Sequence, residues 1–120
     1  MPYESDWCER AFRFSCKLFD YCDELGARPG PARRLADQLF HAGSSIGANL
    51  EEAKAASSRR DKASRTSISL RESRESKYWL RIAIAKNLGD RVRRDWLYRE
   101  ADEFVAMLTV AVRKLQDPNE

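Results

Sequence analysis

The 120-residue chain holds one histidine (His41), three cysteines, four prolines and five glycines, and each shortage excludes something. Cys8, Cys16 and Cys22 fall in one helical stretch at spacings that match no zinc pattern, and a lone histidine cannot complete one. At about 1.5 Å of rise per residue a helix holds Cys8 and Cys22 roughly 20 Å apart. Intrachain disulfides are therefore not expected, and a reducing cytoplasm fits. No apolar run approaches the roughly 20 residues of a membrane span. The opening Met1–Asp6 is acidic and lacks the apolar core of a secretory leader. No stretch alternates as a strand does, and there is no internal repeat. Glu-x-x-His, the di-iron bundle signature, is absent, as is a glycine-rich phosphate loop, and His41 has no evident catalytic partner. The chain reads as non-enzymatic and without a cofactor.

What remains is one domain, residues 1–120, of helical pattern broken at three places. The first helix is expected over residues 6–25, with Asp6 and Glu9 as a capping box and Gly26 as the stop. Cys8, Ala11, Phe12, Ser15, Leu18, Phe19, Cys22 and Leu25 form its apolar stripe. Ala27–Pro31 is the clearest break, and Pro31 suits the start of a second helix over residues 32–56. Leu35, Leu39, Ala42, Ile46, Leu50 and Ala53 share one face there with Asn49, and the helical glycines Gly43 and Gly47 suggest a closely passing backbone. Ser57 and Ser58 offer an N-cap, and Asp61 an acidic first turn, for a third helix reaching about residue 88. Gly89 stops it, and Asp90 caps a fourth helix over residues 91–115. The fourth repeats Leu97, Ala101, Phe104, Leu108, Ala111 and Leu115 every seven residues; Asp117–Glu120 is a frayed tail. Four amphipathic helices with short connections predict an all-α, antiparallel up-down-up-down four-helix bundle.

The third helix carries the candidate sites. Residues 54–81 hold nine basic against three acidic side chains, a net +6 where the whole chain is +3, so the remainder is acidic. One track of this helix reads Arg60, Ser64, Ser67, Arg71, Arg74, Tyr78 and Arg81. With Arg59, Lys62 and Arg65, it makes a phosphate-binding face: cations neutralise phosphates and Tyr78 can stack on a base. The bland alternative is a solvated face with local pairs Asp61–Arg65 and Arg71–Glu75. A second stripe, Ile68, Glu72, Glu75, Trp79 and Ile82, lies nearly opposite the core stripe Ala63, Thr66, Leu70, Ser73, Lys77, Leu80, Ile84 and Leu88. Apolar groups on two faces need two partners, so Ile68, Trp79 and Ile82 are candidate subunit contacts. Ser45, Asn49 and Glu52 form a polar rail on the second helix, with Lys77 as a partner for Glu52 in a register-fixing network.

Two segments carry a family resemblance. Ser45-Ile46-Gly47-Ala48-Asn49 with Glu51-Glu52-Ala53, and the Glu-x-x-Glu-(three residues)-Trp-Leu pattern running from Glu72 to Leu80, resemble the 23S rRNA intervening-sequence proteins. The resemblance implies a four-helix bundle assembling into homopentameric rings. It also implies kinship with the accessory variability proteins of diversity-generating retroelements, whose basic surface binds nucleic acid and a reverse transcriptase. Lys62, Ala63, Thr66, Ser73 and Lys77 depart from the family pattern, standing where large apolar residues are expected and predicting a weaker core. Together these features predict an oligomeric bundle binding RNA or DNA with weak sequence specificity, accessory to a nucleic-acid enzyme. The alternative is an adaptor whose basic face meets an acidic protein.

Overall fold

The structure, a computed structural model, describes residues 2–119. Four helices follow in order: α1 (Pro2–Gly26), α2 (Pro31–Lys54), α3 (Arg59–Ala85) and α4 (Arg91–Gln116). The connections are at most five residues long, so consecutive helices run antiparallel. α1 packs on α2, α2 on α3 and α3 on α4, with α4 returning more sparsely against α1. The diagonal pairs α1/α3 and α2/α4 do not touch, which is the geometry of the expected bundle, 49 × 22 × 21 Å. Among the described residues no helix is long and apolar enough to cross a membrane. The tail's last residue, Glu120, lies outside the described residues, as does Met1.

Away from α1 the expected helix starts hold, while α2 ends at Lys54 and α3 at Ala85, two and three residues short of the expected stops. α3 begins where the Ser58 hydroxyl accepts from the Asp61 amide at 3.0 Å, and α4 where Asp90 Oδ2 accepts from the Arg93 amide at 2.8 Å. α1, by contrast, starts four residues before Asp6, so Asp6 and Glu9 lie inside the helix and form no capping box. Gly26 is still helical; the chain reverses at Gly30, which takes φ +89° ahead of Pro31. Between α3 and α4, Asn87 (φ 53°) and Gly89 (φ 66°) occupy left-handed backbone. A Cβ at Gly89 would also stand 2.8 Å from the Tyr21 ring. That turn is fastened from two sides. The Tyr21 hydroxyl donates to the Leu88 carbonyl at 2.8 Å, and the buried Arg94 guanidinium donates to Leu88 O at 3.0 Å and Asn87 Oδ1 at 2.6 Å.

The buried row of α1 differs from the expected stripe. Ala11, Phe14, Leu18, Tyr21 and Leu25 are fully buried, while Phe12 (60% exposed) and Phe19 (58%) face outward. Cys8 and Cys22 are buried as expected. The two apolar rows of α1 differ by a rotation of less than a third of a turn, and the heptad row 11-14-18-21-25 is the one that fits the α2 and α4 seams. Gly47 accounts for the close approach on the α2 side: a Cβ there would stand 3.2 Å from Ala11 Cβ. Gly43 backs onto the Leu18 and Phe14 side chains rather than a backbone. In α4 the seven-residue row holds through Leu108, then drifts so that Val112 replaces Ala111 at the core, as 3.6 residues per turn dictates over a 3.5-residue repeat. The sparse α1–α4 seam is closed by Arg10, which pairs with Glu100 at 2.7 Å and lies over the Phe104 ring. Lys17 lies over Trp96 in the same seam.

The third helix core is made of hydroxyls. Thr66, Ser69, Ser73 and Ser76 are buried beside Leu70, Leu80 and Ala83. Three of the four bond to a carbonyl one turn back on their own helix (Thr66 to Lys62, Ser73 to Ser69, Ser76 to Glu72) at 2.7–2.8 Å. Ser69 instead donates 2.9 Å across to the Ile46 carbonyl of α2. The departure from large apolar residues therefore does not leave unpaired polar groups. It substitutes small, satisfied side chains that let the α3 surface reach the α2 backbone.

All three cysteines are free thiols. Burial, with Asp37 nearby, pushes the Cys22 thiol up to about 12, whereas Cys16 is exposed. Thiol titration of the native protein at pH 8 is expected to count one fast-reacting group, Cys16, and three after denaturation. Rapid reaction of all three in the native state would contradict the buried row assigned to α1.

Candidate nucleic-acid interface

α3 presents four faces. Its core face meets α2 and α4 through the hydroxyl row. On the α4 flank, Lys77 Nζ pairs with Asp102 Oδ1 at 2.7 Å, and this hydrogen bond raises the lysine's pKa. The expected Glu52–Lys77 pairing is therefore not formed. Lys77 lies over Tyr98 and against α4, while Glu52 is exposed on α2. The polar rail is likewise local. Ser45 Oγ donates to the His41 carbonyl at 2.7 Å and Asn49 Nδ2 to the Ser45 carbonyl at 2.9 Å, bonds within α2 that fix no register with α3.

The α2 flank of α3 holds Ile68, Glu72, Glu75, Trp79 and Ile82, all half-buried, with Trp79 and Ile82 packed against the core. Glu72 Oε2 and Trp79 Nε1 are buried without a hydrogen-bond partner among the described residues. Burial first, then the charge of Glu75, raises the Glu72 carboxyl; His41 and Arg71 oppose the shift. Below the unfolded-state pKa of a glutamate the group is protonated in both states, and stability falls as pH rises through the window up to the raised folded value.

The outward face carries Arg60, Ser64, Arg71, Arg74, Tyr78 and Arg81, all exposed, with Ser67 half-buried at its edge. From Arg60 to Arg81 it runs about 32 Å at 1.5 Å per residue. The local pairs of the bland alternative do not form: Asp61 does not bridge Arg65, nor Arg71 Glu75. Among the described residues no carboxylate lies within 4 Å of the Arg60, Arg65, Arg71, Arg74 or Arg81 guanidinium. Tyr78 is 56% exposed and meets Trp79 edge-on at 5.4 Å, so one ring face remains available for stacking.

Three of the expected phosphate ligands stand elsewhere. Arg59 caps α4, donating to the Lys114 carbonyl at 2.6 Å and the Leu115 carbonyl at 3.2 Å, because the α3 start lies beside the α4 end. Lys62 is half-buried one turn before the buried Thr66, on the core side of the helix. Arg65 is exposed but sits about 140° round the helix from the centre of the track. An open cleft of about 630 Å³ lies alongside the start of the track, between Arg60, Ser64 and Ser67 on α3 and Leu115–Pro118 at the α4 end. No sequence signal marks this cleft, since it depends on how the α4 tail lies against α3. Among the described residues no three histidine, cysteine or carboxylate side chains converge in a way that could hold a metal ion.

Fold and face together define a class, the small four-helix bundle whose positive charge is gathered on one outward helix surface. The chain belongs to the 23S rRNA-intervening sequence protein family, whose profile matches residues 4–110. Among solved structures it is similar to a protein of unknown function from the S23 ribosomal protein family of Bacteroides thetaiotaomicron. That likeness has a TM-score of 0.78 at 24% identity, covers 88% of this chain and 96% of the other, and bears on the fold. No curated protein matches the chain.

Proposed function

We propose that this protein is a non-enzymatic, oligomeric, cytoplasmic bundle that binds nucleic acid through the outward face of α3, as an accessory to a nucleic-acid enzyme. A reverse transcriptase is the candidate enzyme by family resemblance. The observation that carries the reading is the set of four exposed arginines, Arg60, Arg71, Arg74 and Arg81, on one face with no carboxylate partners among the described residues. An arginine without an internal partner keeps its planar donor fork for a phosphate. Tyr78 between them supplies a stacking surface for an unpaired base, and the cleft beside Arg60 gives a strand room to leave the helix face. The face holds no base-reading motif, so recognition is by backbone charge and is weakly sequence-specific. The half-buried apolar side chains of Ile68, Trp79 and Ile82 on the α2 flank support self-association there, in the ring that the resemblance implies.

The test is titration of labelled RNA and DNA oligonucleotides at about 50 mM and about 200 mM salt. Binding is expected at the lower concentration and a loss of tenfold or more at the higher. Binding of an acidic protein with none of either nucleic acid would favour the adaptor alternative.

A further inference from the structure

The α1–α2 side of the bundle is also built for contact. Turning Ala11, Phe14 and Leu18 inward leaves Phe12 and Phe19 of α1 exposed, and Phe19 meets the half-buried Phe40 of α2 edge-on at 5.8 Å. Beside this pair a groove of about 480 Å³ runs between α1 and α2, floored by the buried Cys22 and Ala36. Asp23 and Asp37 line it, and Asp20 lines the adjoining shallow cleft that shares Phe19 and Phe40. All three are exposed, and none has a cation within 4 Å among the described residues; Arg33, at the Gly26 end, is held by its own bond to the Gly26 carbonyl at 3.0 Å. Three carboxylates around two aromatic rings repel phosphate and attract a side chain that is itself apolar along its stem and cationic at its tip.

We propose that the α1–α2 groove docks a cationic amphipathic helix of a partner protein, its apolar side chains covering Phe19 and Phe40 and its lysines or arginines pairing with Asp20, Asp23 and Asp37. Charge complementarity selects this occupant over an RNA strand or an anionic lipid surface, both of which the carboxylates oppose. α1 and α3 stand on opposite corners of the bundle, and the groove and the basic track share no residue, so both can be filled together. The molecule would then bridge a polyanion and a basic protein.

The probe is an 18-residue amphipathic leucine–lysine peptide, labelled and titrated by fluorescence anisotropy against the full chain. The expected result is saturable binding, weakened at least tenfold by D23K/D37K and by F19S, and unchanged when Arg60, Arg71, Arg74 and Arg81 are all exchanged for glutamate. All the exchanged positions are exposed, and circular dichroism checks that each variant stays folded. Peptide affinity indifferent to D23K/D37K and F19S would overturn the proposal. So would sedimentation showing that D23K/D37K dissociates the protein's own oligomer, since a second copy would then be the occupant.

Discussion

Exchanging Arg60, Arg71, Arg74 and Arg81 together for glutamate is expected to weaken nucleic-acid binding by about a hundredfold or more at low salt. Each exchange removes a phosphate ligand and puts a repelling charge in its place, so the effect exceeds simple loss of four contacts. The same variant should melt within a few degrees of the parent. All four side chains are exposed and outside every hydrogen bond and ion pair described for the bundle, and surface changes of that kind stay within about 0.5 kcal/mol each. Relief of the +6 concentrated between residues 54 and 81 acts in the same stabilising direction. Equal affinity for parent and variant would remove the track from the account. A control reversal of Arg59 should behave differently, lowering stability through the lost α4 cap rather than acting on affinity alone.

Replacing Phe14 with alanine is expected to cost about 3–5 kcal/mol, the range for removing a large aromatic side chain from a packed core. The Phe14 ring is fully buried, edge-on to Phe104 at 5.7 Å and stacked on Trp96 at 6.5 Å, so three rings lose packing at once. It also backs Gly43 of α2, which leaves the neighbouring helix little freedom to collapse into the void. Urea denaturation gives the number directly. The same truncation at Phe19, 58% exposed, should cost well under half as much. If Phe19 proved the costlier position, α1 would be rotated toward the row formed by Phe12, Ser15, Phe19 and Cys22.

That comparison marks where the sequence was ambiguous. α2 could be read almost outright, since its stripe from Leu35 to Ala53 is, Asn49 apart, a row that the structure buries. The caps at Ser58 and Asp90 were legible because a capping side chain acts within three residues of itself. α1 was not, because two adjacent rows are both apolar and only the α2 and α4 surfaces decide between them. α3 was harder still. The core stripe included Ser73 but did not register Ser69 and Ser76, which are buried because each hydroxyl finds a carbonyl, that of Ser69 on the neighbouring helix. Charge clustering pointed to the outward face of α3 but could not say which cations stand on it. Arg59 and Lys77 are drawn aside by the α4 end and by Asp102, partners more than twenty residues away in sequence. The cross-bracing by Arg10 on Glu100 was invisible for the same reason.

The most direct measurement of the central claim is the slope of log affinity against log salt for a single-stranded oligonucleotide, taken for the parent and for Arg71→Ala/Arg74→Ala. If each arginine neutralises one phosphate, each contributes about 0.7 to the slope, so the double variant should be shallower by about 1.4. Two parallel lines, or a parent whose affinity does not fall with salt at all, would mean that these guanidinium groups do not meet phosphates.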